Sequence, residues 1–431
     1  MYSPEQKQYI LKNSLGVSYH VYFEQGRGLC IRMLSDSRIW SRGYVLDKSA
    51  INDFSVALDK NDIFHFFFQT QDGSLMYGHG MHGQIECRPI LNSKDHISWP
   101  KHVSLLVLEK AAIFFYVITY QNRYLVSMQS VQDGKLSKPV AIAYIENASY
   151  LSFLDREGKC HLLYVSSDKT RTHLYHRVLK DDLSTFNLPE KIFSTDYAIS
   201  SISAVCTETN NIHIAFEVSG DEFYEVMYRN LSAGEKSETL YTGKTAPGYS
   251  GLVYNSGIIV FFRVADGNIY FKTSENNGVA WTDESLYPFG SNIACFSFSS
   301  NHSNDKTIFS MEIPGNFTRG YQLAFLNGEK IKPAQDRKTS NNRENDYINN
   351  LEKKIILLQN LTDNMQRELT KLWLTQKSFE KRLEQLLRSF AGVQQQPQCQ
   401  PSDEYNEETP PEPDAETPEN VQTGDTNSEK V

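Results

Sequence analysis

Paired cysteine is the first thing missing from this 431-residue chain. Its six Cys show neither a CxxC nor a paired spacing, which leaves no disulfide framework and no zinc ribbon to expect. Five of them, Cys30, Cys87, Cys160, Cys206 and Cys295, lie in or beside strand-like segments and read as reduced, buried small hydrophobes. Long apolar runs are missing too. The longest, Ala111 to Tyr120, is half the roughly 20 residues that cross a bilayer, so no membrane insertion is expected. The start, Met1 to Lys7, lacks the basic flank and apolar core of a secretory signal, and the expected location is cytoplasmic. Basic excess is likewise absent: 43 Lys and Arg face 52 Asp and Glu, a net charge of −9. Residues 393–431 alone hold ten Asp or Glu against one Lys, so the remainder is balanced and no nucleic-acid surface is expected.

What the chain does have is aromatic strand sequence, with 24 Tyr and 24 Phe. One phrase recurs around a histidine: Tyr19-His20-Val21-Tyr22-Phe23, Phe64-His65-Phe66-Phe67-Phe68, Cys160-His161-Leu162-Leu163-Tyr164 and Ile212-His213-Ile214-Ala215-Phe216. The His positions are 45, twice 48 and 52 residues apart. Copies without His fill the series at Ile113 to Val117, Ile258 to Phe262 and Thr307 to Met311. Within one period, Phe54 to Leu58, Ile63 to Phe68, Leu75 to Tyr77 and Ile85 to Ile90 read as four strands joined by polar turns.

A period of roughly 40 to 50 residues made of short antiparallel strands is the mark of a β-propeller blade. Opening strands fall near Tyr9, Phe54, Val103, Tyr150, Ile202, Gly251 and Phe296. The expected fold is all-β, a seven-bladed β-propeller over residues 1–333, with six and eight blades as the neighbouring counts. A single sheet cannot bury both faces, so the blades must stack around an axis.

One turn carries a resemblance. Ser274-Glu275-Asn276-Asn277-Gly278-Val279-Ala280-Trp281 resembles the Asp-box, Ser-x-Asp-x-Gly-x-x-Trp, of the sialidase-like or BNR-repeat propellers, with Asn276 in the Asp place. The resemblance implies a structural hairpin between the third and fourth strands of a blade: Ser274 and Asn276 bond the turn, Gly278 takes positive φ, and Trp281 plugs the blade. Sialidase-type catalysis would further require an Arg-Ile-Pro signature, three carboxylate-clamping Arg, a Tyr with a partner Glu, and an acidic Asp. The chain departs from that set. Arg88-Pro89-Ile90 has the order disturbed, Tyr224-Glu225 is an ordinary pair in a Tyr-rich sheet protein, and Arg32, Arg177 and Arg229 recur in third strands as blade parts. No catalytic residue is carried over.

Past residue 333 the composition changes. Residues 334–346 read as a polar linker. Over 347–391, Ile348, Leu351, Ile355, Leu358, Thr362, Met365, Leu369, Leu372, Gln376, Phe379, Leu383, Leu386 and Phe390 keep a strict 3-4 spacing, which predicts a coiled-coil helix and a homo-oligomer. Gln376 would fix register at some cost in stability. The alternative is a helix packed back on its own propeller. Residues 392–431, rich in Pro and Glu, hold too little apolar surface to fold and read as a disordered acidic tail.

Gly78-His79-Gly80-Met81-His82-Gly83 matches G-x-G-x-x-G, but a strand pattern follows where a dinucleotide site needs a helix. His79 and His82 share that loop without a third metal ligand. Gly243-Lys244-Thr245 lacks the first Gly of a phosphate loop, since Glu238 stands there. His20, His65, His161 and His213 read as repeated hydrogen-bonding parts, because sites spread round a ring cannot converge on one small ligand. No cofactor, metal or catalytic residue is therefore expected. The leading functional expectation is a non-enzymatic scaffold, its propeller displayed multivalently to an unknown protein partner by the coiled coil. The alternatives are a sialidase-like carbohydrate-binding or glycoside-hydrolysing protein and a structural assembly component.

Overall fold

Short runs of β-branched and aromatic residues between polar turns give strands here and little else. The computed structural model describes residues 7–326, apart from 36–37, 94–98, 122, 169, 235, 290–291 and 318–319, together with residues 373 and 375–383. Met1–Asp336 forms one compact unit, in which the described strands make six hydrogen-bonded sheets. The second is representative: Ala50–Leu58, Phe64–Thr70, Leu75–Met81 and Gln84–Leu91 pair in that order, each antiparallel to the next.

Period-two geometry sends successive side chains to opposite faces, and both faces are used. Phe64, Phe66 and Phe68 pack with Leu11, Val21 and Ile31 of the first sheet. Phe67, pointing the other way, packs with Phe114 and Tyr116 of the third. The same exchange continues through Phe115 and Leu162, Leu163 and Ile214, and Ala215 and Phe261. It returns to the start through Val253, Phe262, Phe296 and Ile10. A sequence of sheets packed face to face that comes back on itself is an all-β, propeller-type ring. Removing one such aromatic, as in Phe67→Ala, costs about 3–5 kcal/mol.

Inner strands would be left with unpaired edges in this arrangement, and polar side chains supply the missing bonds. Val103 N–H donates to Asp53 Oδ1 (3.0 Å), Leu105 N–H to Ser55 Oγ (3.0 Å) and Leu252 N–H to Ser203 Oγ (3.0 Å). These clips join one repeat to the next.

The last repeat departs from the four-strand expectation. Ala294–Ser300 runs parallel to Gln8–Lys12, with Tyr9 opposite Ser297, so the end and start of the ring merge into one seven-stranded sheet. The Thr307 to Met311 copy was expected beside its own opening strand. Instead Ile308–Ser310 crosses over and pairs with Tyr249–Asn255, on the side away from Ile258–Ala265. The connection explains it: Lys12 Nζ and Ser300 Oγ both hold Asp305 Oδ2 (2.9 and 2.6 Å), and Thr307 bonds the Asn255 side chain, so the chain leaves its own sheet.

Two smaller expectations also change. Cys87 is exposed, since the outer strand Gln84–Leu91 has an open face, and Cys295 on Ala294–Ser300 is half-buried, while Cys30, Cys160 and Cys206 are buried. In the second unit, Arg337–Val431, residues 373 and 375–383 are helical and exposed. Gln376, Phe379 and Leu383 of the proposed seam lie on this helix, and Gln376 Nε2 donates to Glu380 Oε1 (3.2 Å). Ile348, Leu351, Ile355, Leu358, Thr362, Met365, Leu369, Leu372, Leu386 and Phe390 lie outside the described residues, as do the linker and the acidic tail.

Candidate functional site

Seven strands, the first of each repeat, share one surface. Gln8–Lys12, Ala50–Leu58, Ser104–Val107, Tyr150–Leu154, Ala198–Cys206, Tyr249–Asn255 and Ala294–Ser300 all contribute to the wall of an axial cavity of about 670 Å³. Ile308–Ser310, the strand that crossed over, lines it as well. This volume lies within the range that holds a small organic ligand.

The residues entering the inner strands meet at one end of the cavity. Lys7 Nζ donates to Asp53 Oδ1 (3.2 Å) and to the Val103 carbonyl (3.4 Å). The Tyr9 hydroxyl donates to the Phe54 carbonyl (3.3 Å), and the Tyr150 hydroxyl to the His102 carbonyl. Four successive repeats are thereby tied at this mouth. Glu312 reaches it from the crossed-over segment, within electrostatic range of Lys7 and Tyr9, and its side chain stays open to the cavity. Asp53 is buried, and its Oδ2 has no protein partner.

Charge is tuned by depth and neighbours. Burial pushes the Glu312 carboxyl up to about 7, against the opposing pull of Lys7. Burial acts to lower the Lys7 ammonium, but Asp53 outweighs it and the net direction is upward. Burial raises the Tyr9 and Tyr150 phenols, which stay protonated donors at neutral pH. It lowers the His102 imidazole, with Asp53 opposing. The mouth therefore offers a cation, two phenols, an imidazole and a carboxyl that gains or loses its proton near neutrality. That set can bind a ligand rich in hydroxyls and exchange one proton with it.

The repeat histidines are elsewhere, within single sheets. Arg32 Nε donates to His20 Nδ1 (3.0 Å), leaving His20 Nε2–H to donate to Gln8 Oε1 (3.0 Å). His161 Nε2–H donates to Asp155 Oδ2 (3.2 Å), so its Nδ1 accepts from His176 Nε2–H (2.9 Å). His65 Nδ1 bonds the Tyr77 hydroxyl (2.7 Å), and His213 Nδ1 the Tyr228 hydroxyl (2.6 Å). Each joins a second strand to a third, and two of them lie within 4 Å of an Asp in the preceding turn, Asp59 and Asp155.

At the Asp-box turn, Ser274 Oγ donates to Asn276 Oδ1 (2.9 Å) and accepts from Gly278 N–H (2.9 Å). Ala280 N–H donates to Asn276 Oδ1 (2.9 Å), and Gly278 has φ +80°. Trp281 packs edge-on to Tyr228 of the neighbouring sheet. The recurrent arginines do not converge. Arg32 stacks on Tyr22, Trp40 and Phe317, Arg177 bonds the carbonyls of Ile142, Phe186 and Asn187, and Arg229 bonds that of Ile192. The G-x-G-x-x-G segment spans a hairpin between Leu75–Met81 and Gln84–Leu91, with no helix there to face a phosphate. Among the described residues no group of three or more His, Cys, Asp or Glu is placed to hold a metal ion.

Lys7, Tyr9, His102, Tyr150 and Glu312 were missed by the sequence reading. A signal existed: Lys7, Asp53, His102 and Tyr150 stand 46, 49 and 48 residues apart, each at the start of an inner strand. Alignment of the repeats on the His phrase hid it.

No protein-family model matches the chain, and no curated protein sequence matches it. Solved structures do. One, described as a new family of polysaccharide lyase, ulvan lyase of family PL25, bound to -[GlcA(1-4)Rha3S]-, is 10% identical over 72% of this chain and 89% of its own, with a TM-score of 0.50. Another, an Aleuria aurantia lectin mutant in complex with Fucα1-6GlcNAc, is 9% identical over 68% of this chain and 98% of its own, with a TM-score of 0.43. The likeness to the lyase shows a shared fold. It corrects the leading expectation: the fold is one that a polysaccharide lyase also carries, so a non-enzymatic protein scaffold is no longer the reading of choice, and the expectation that the chain is not an enzyme loses its ground with it.

Proposed function

We propose that this chain binds or processes a carbohydrate at the mouth of its axial cavity. The observation that carries the reading is the meeting of Lys7, Tyr9, His102, Tyr150 and Glu312 over a cavity of about 670 Å³. Saccharides present many hydroxyls with apolar C–H faces between them, and a wall of phenols, serines and apolar side chains, with one Lys and the carboxyls of Asp305 and Glu312, matches that chemistry. The fold shared with a polysaccharide lyase supports the same reading.

Three finer readings accompany it. The seven inner strands count as seven blades, the seventh fused to the first. The Ser274 to Trp281 turn is an Asp-box of the sialidase-like type. The C-terminal helix forms a coiled coil that presents several copies at once, which would raise avidity for a repeating polymer. Light scattering on the full chain and on residues 1–333 tests the last point: a monomeric full chain refutes it.

The experiment on the main reading is titration calorimetry and a digestion assay on a panel of acidic and neutral polysaccharides, with Lys7→Ala and Glu312→Gln alongside the wild type. Binding or cleavage by the wild type, weakened at least tenfold in either variant, is the expected result. Full activity in both variants refutes the placement of the site.

A further inference from the structure

We propose that the cavity mouth favours neutral saccharides over acidic ones, with the Glu312 carboxylate as the group that repels a uronate or a sulfate. This rests on the carbohydrate reading above and assigns the class of sugar that the same site prefers. The first observation is the charge on the wall. Among the described lining residues Lys7 is the one Lys or Arg, and its charge is already balanced. Its Nζ donates to Asp53 Oδ1 (3.2 Å) and to the Val103 carbonyl (3.4 Å), and Asp53 is buried. Asp305, at the opposite end of the inner strands, is balanced in the same way by Lys12 (2.9 Å). Of these three carboxyls, Glu312 alone has no ion pair among the described residues; Lys7 and Tyr9 act on it only from longer range. Two pairs cancel, and the charge left over is that of Glu312.

The second observation is the kind of polar group that remains. Carboxylates and sulfates are held best by guanidinium forks, and among the described residues no Arg lines this cavity. Two of the three Lys7 protons are committed, so a ligand can claim one. Hydroxyls are more plentiful. Ser201, Ser250, Ser297 and Ser299, from three successive repeats, line the cavity, are open to solvent and hold no side-chain hydrogen bond within the protein among the described residues. Each can donate and accept, which suits a sugar hydroxyl. The third and fourth repeats add half-buried apolar side chains, Leu106 and Leu151, beside which the C–H face of a sugar can lie.

An acidic ring entering this mouth meets one shared ammonium and one bare carboxylate, in a cavity where charges are screened less than on an open surface. A neutral ring meets the same hydroxyls without the repulsion. The sign with pH follows. Burial pushes the Glu312 carboxyl up to about 7, so the repulsion is present above that pH and fades as the carboxyl takes its proton below it. Lys7, Tyr9 and Tyr150 are all shifted upward and keep their protons throughout, while His102, lowered by burial, gains its proton only further down. The acidic form of a saccharide is therefore bound more weakly than the neutral form in alkali, and the two approach each other in mild acid.

The test uses the full chain and two matched probes: a hexasaccharide of the GlcA–Rha3S repeat, and the same hexasaccharide after carboxyl reduction and desulfation, so that charge is the main difference between them. Calorimetry reads the ratio of the two affinities. At about pH 8 the neutral form should bind the wild type at least about tenfold more tightly. That ratio should shrink to about threefold or less in Glu312→Gln, and likewise in the wild type at about pH 6 or in about 1 M salt, where the Debye length is about 3 Å. An acidic form bound as tightly as the neutral form, or more tightly, at about pH 8 overturns the selectivity; if Lys7→Ala then weakens both forms, the cavity reading still stands. A ratio unchanged in Glu312→Gln, or unmoved by salt, also overturns it, because the discrimination would then be one of shape. Binding of neither form to the wild type overturns selectivity and site together. Circular dichroism checks the folding of the variants, and the pH and salt series on the wild type need no variant at all.

Discussion

His213 offers a test of the sheet chemistry in which the sign and size can both be worked out. The ring is fully buried, and its Nδ1 bonds the Tyr228 hydroxyl at 2.6 Å. Burial lowers its pKa from the ordinary 6.5 to about 4, with the Asn277 side chain opposing. A depressed imidazole means that the unfolded chain binds the proton first, so stability is fully present above the unfolded value and drains away as pH falls toward the folded one. The gap of about 2.5 pH units, at about 1.4 kcal/mol per unit, is roughly 3 kcal/mol between neutrality and about pH 4. Domain stabilities of about 5–15 kcal/mol make that a large share. Urea melts at intervals from about pH 8 to about pH 4 measure it. His213→Gln should lower stability at high pH by leaving the Tyr228 hydroxyl poorly paired, yet flatten the slope below about pH 6.5 by about one proton. A variant slope equal to that of the wild type refutes the assignment of a neutral buried His213.

Three further outcomes follow from the same geometry. Gly278→Ala should cost about 1–3 kcal/mol of stability and lower Tm accordingly, because φ is +80° there and an added Cβ would collide with the Tyr228 hydroxyl; a thermal melt checks it. Glu312→Gln should remove any inflection near pH 7 from saccharide affinity or turnover, since Glu312 is the group at the mouth pushed up to about 7, and an unchanged profile would assign the proton elsewhere. Ser55→Ala should cost about 1–2 kcal/mol by orphaning Leu105 N–H, whereas the exposed Leu188→Ala should be neutral in the same urea melts.

The repeat was legible because period-two burial leaves its signature in every strand: Phe64, Phe66 and Phe68 against Phe67 is a pattern that only a sheet covered on both sides requires. All seven opening strands could be placed for that reason. That the first and last repeats should meet was expected, but the strand pairing that closes the ring was not legible, because joining Gln8–Lys12 to Ala294–Ser300 depends on two segments nearly the whole ring apart, with no turn to announce it. Nor was the crossing of Ile308–Ser310, which is fixed by Lys12, Ser300 and Asn255 holding the preceding turn. The cavity mouth lay hidden for a related cause. Its side chains come one per repeat and differ in chemistry, Lys7, His102, Tyr150 and Glu312, so no motif links them until the ring brings them together. The histidines stood out in the sequence because they repeat, and they repeat because each performs the same local bond.

The most direct measurement is a crystal structure of the full chain grown with a hexasaccharide of the GlcA–Rha3S repeat. The carbohydrate reading expects a sugar ring in contact with Lys7, Tyr9, His102, Tyr150 or Glu312 at the cavity mouth. A sugar bound only on the outer rim of the sheets, with water alone at Lys7 and Glu312, would contradict it.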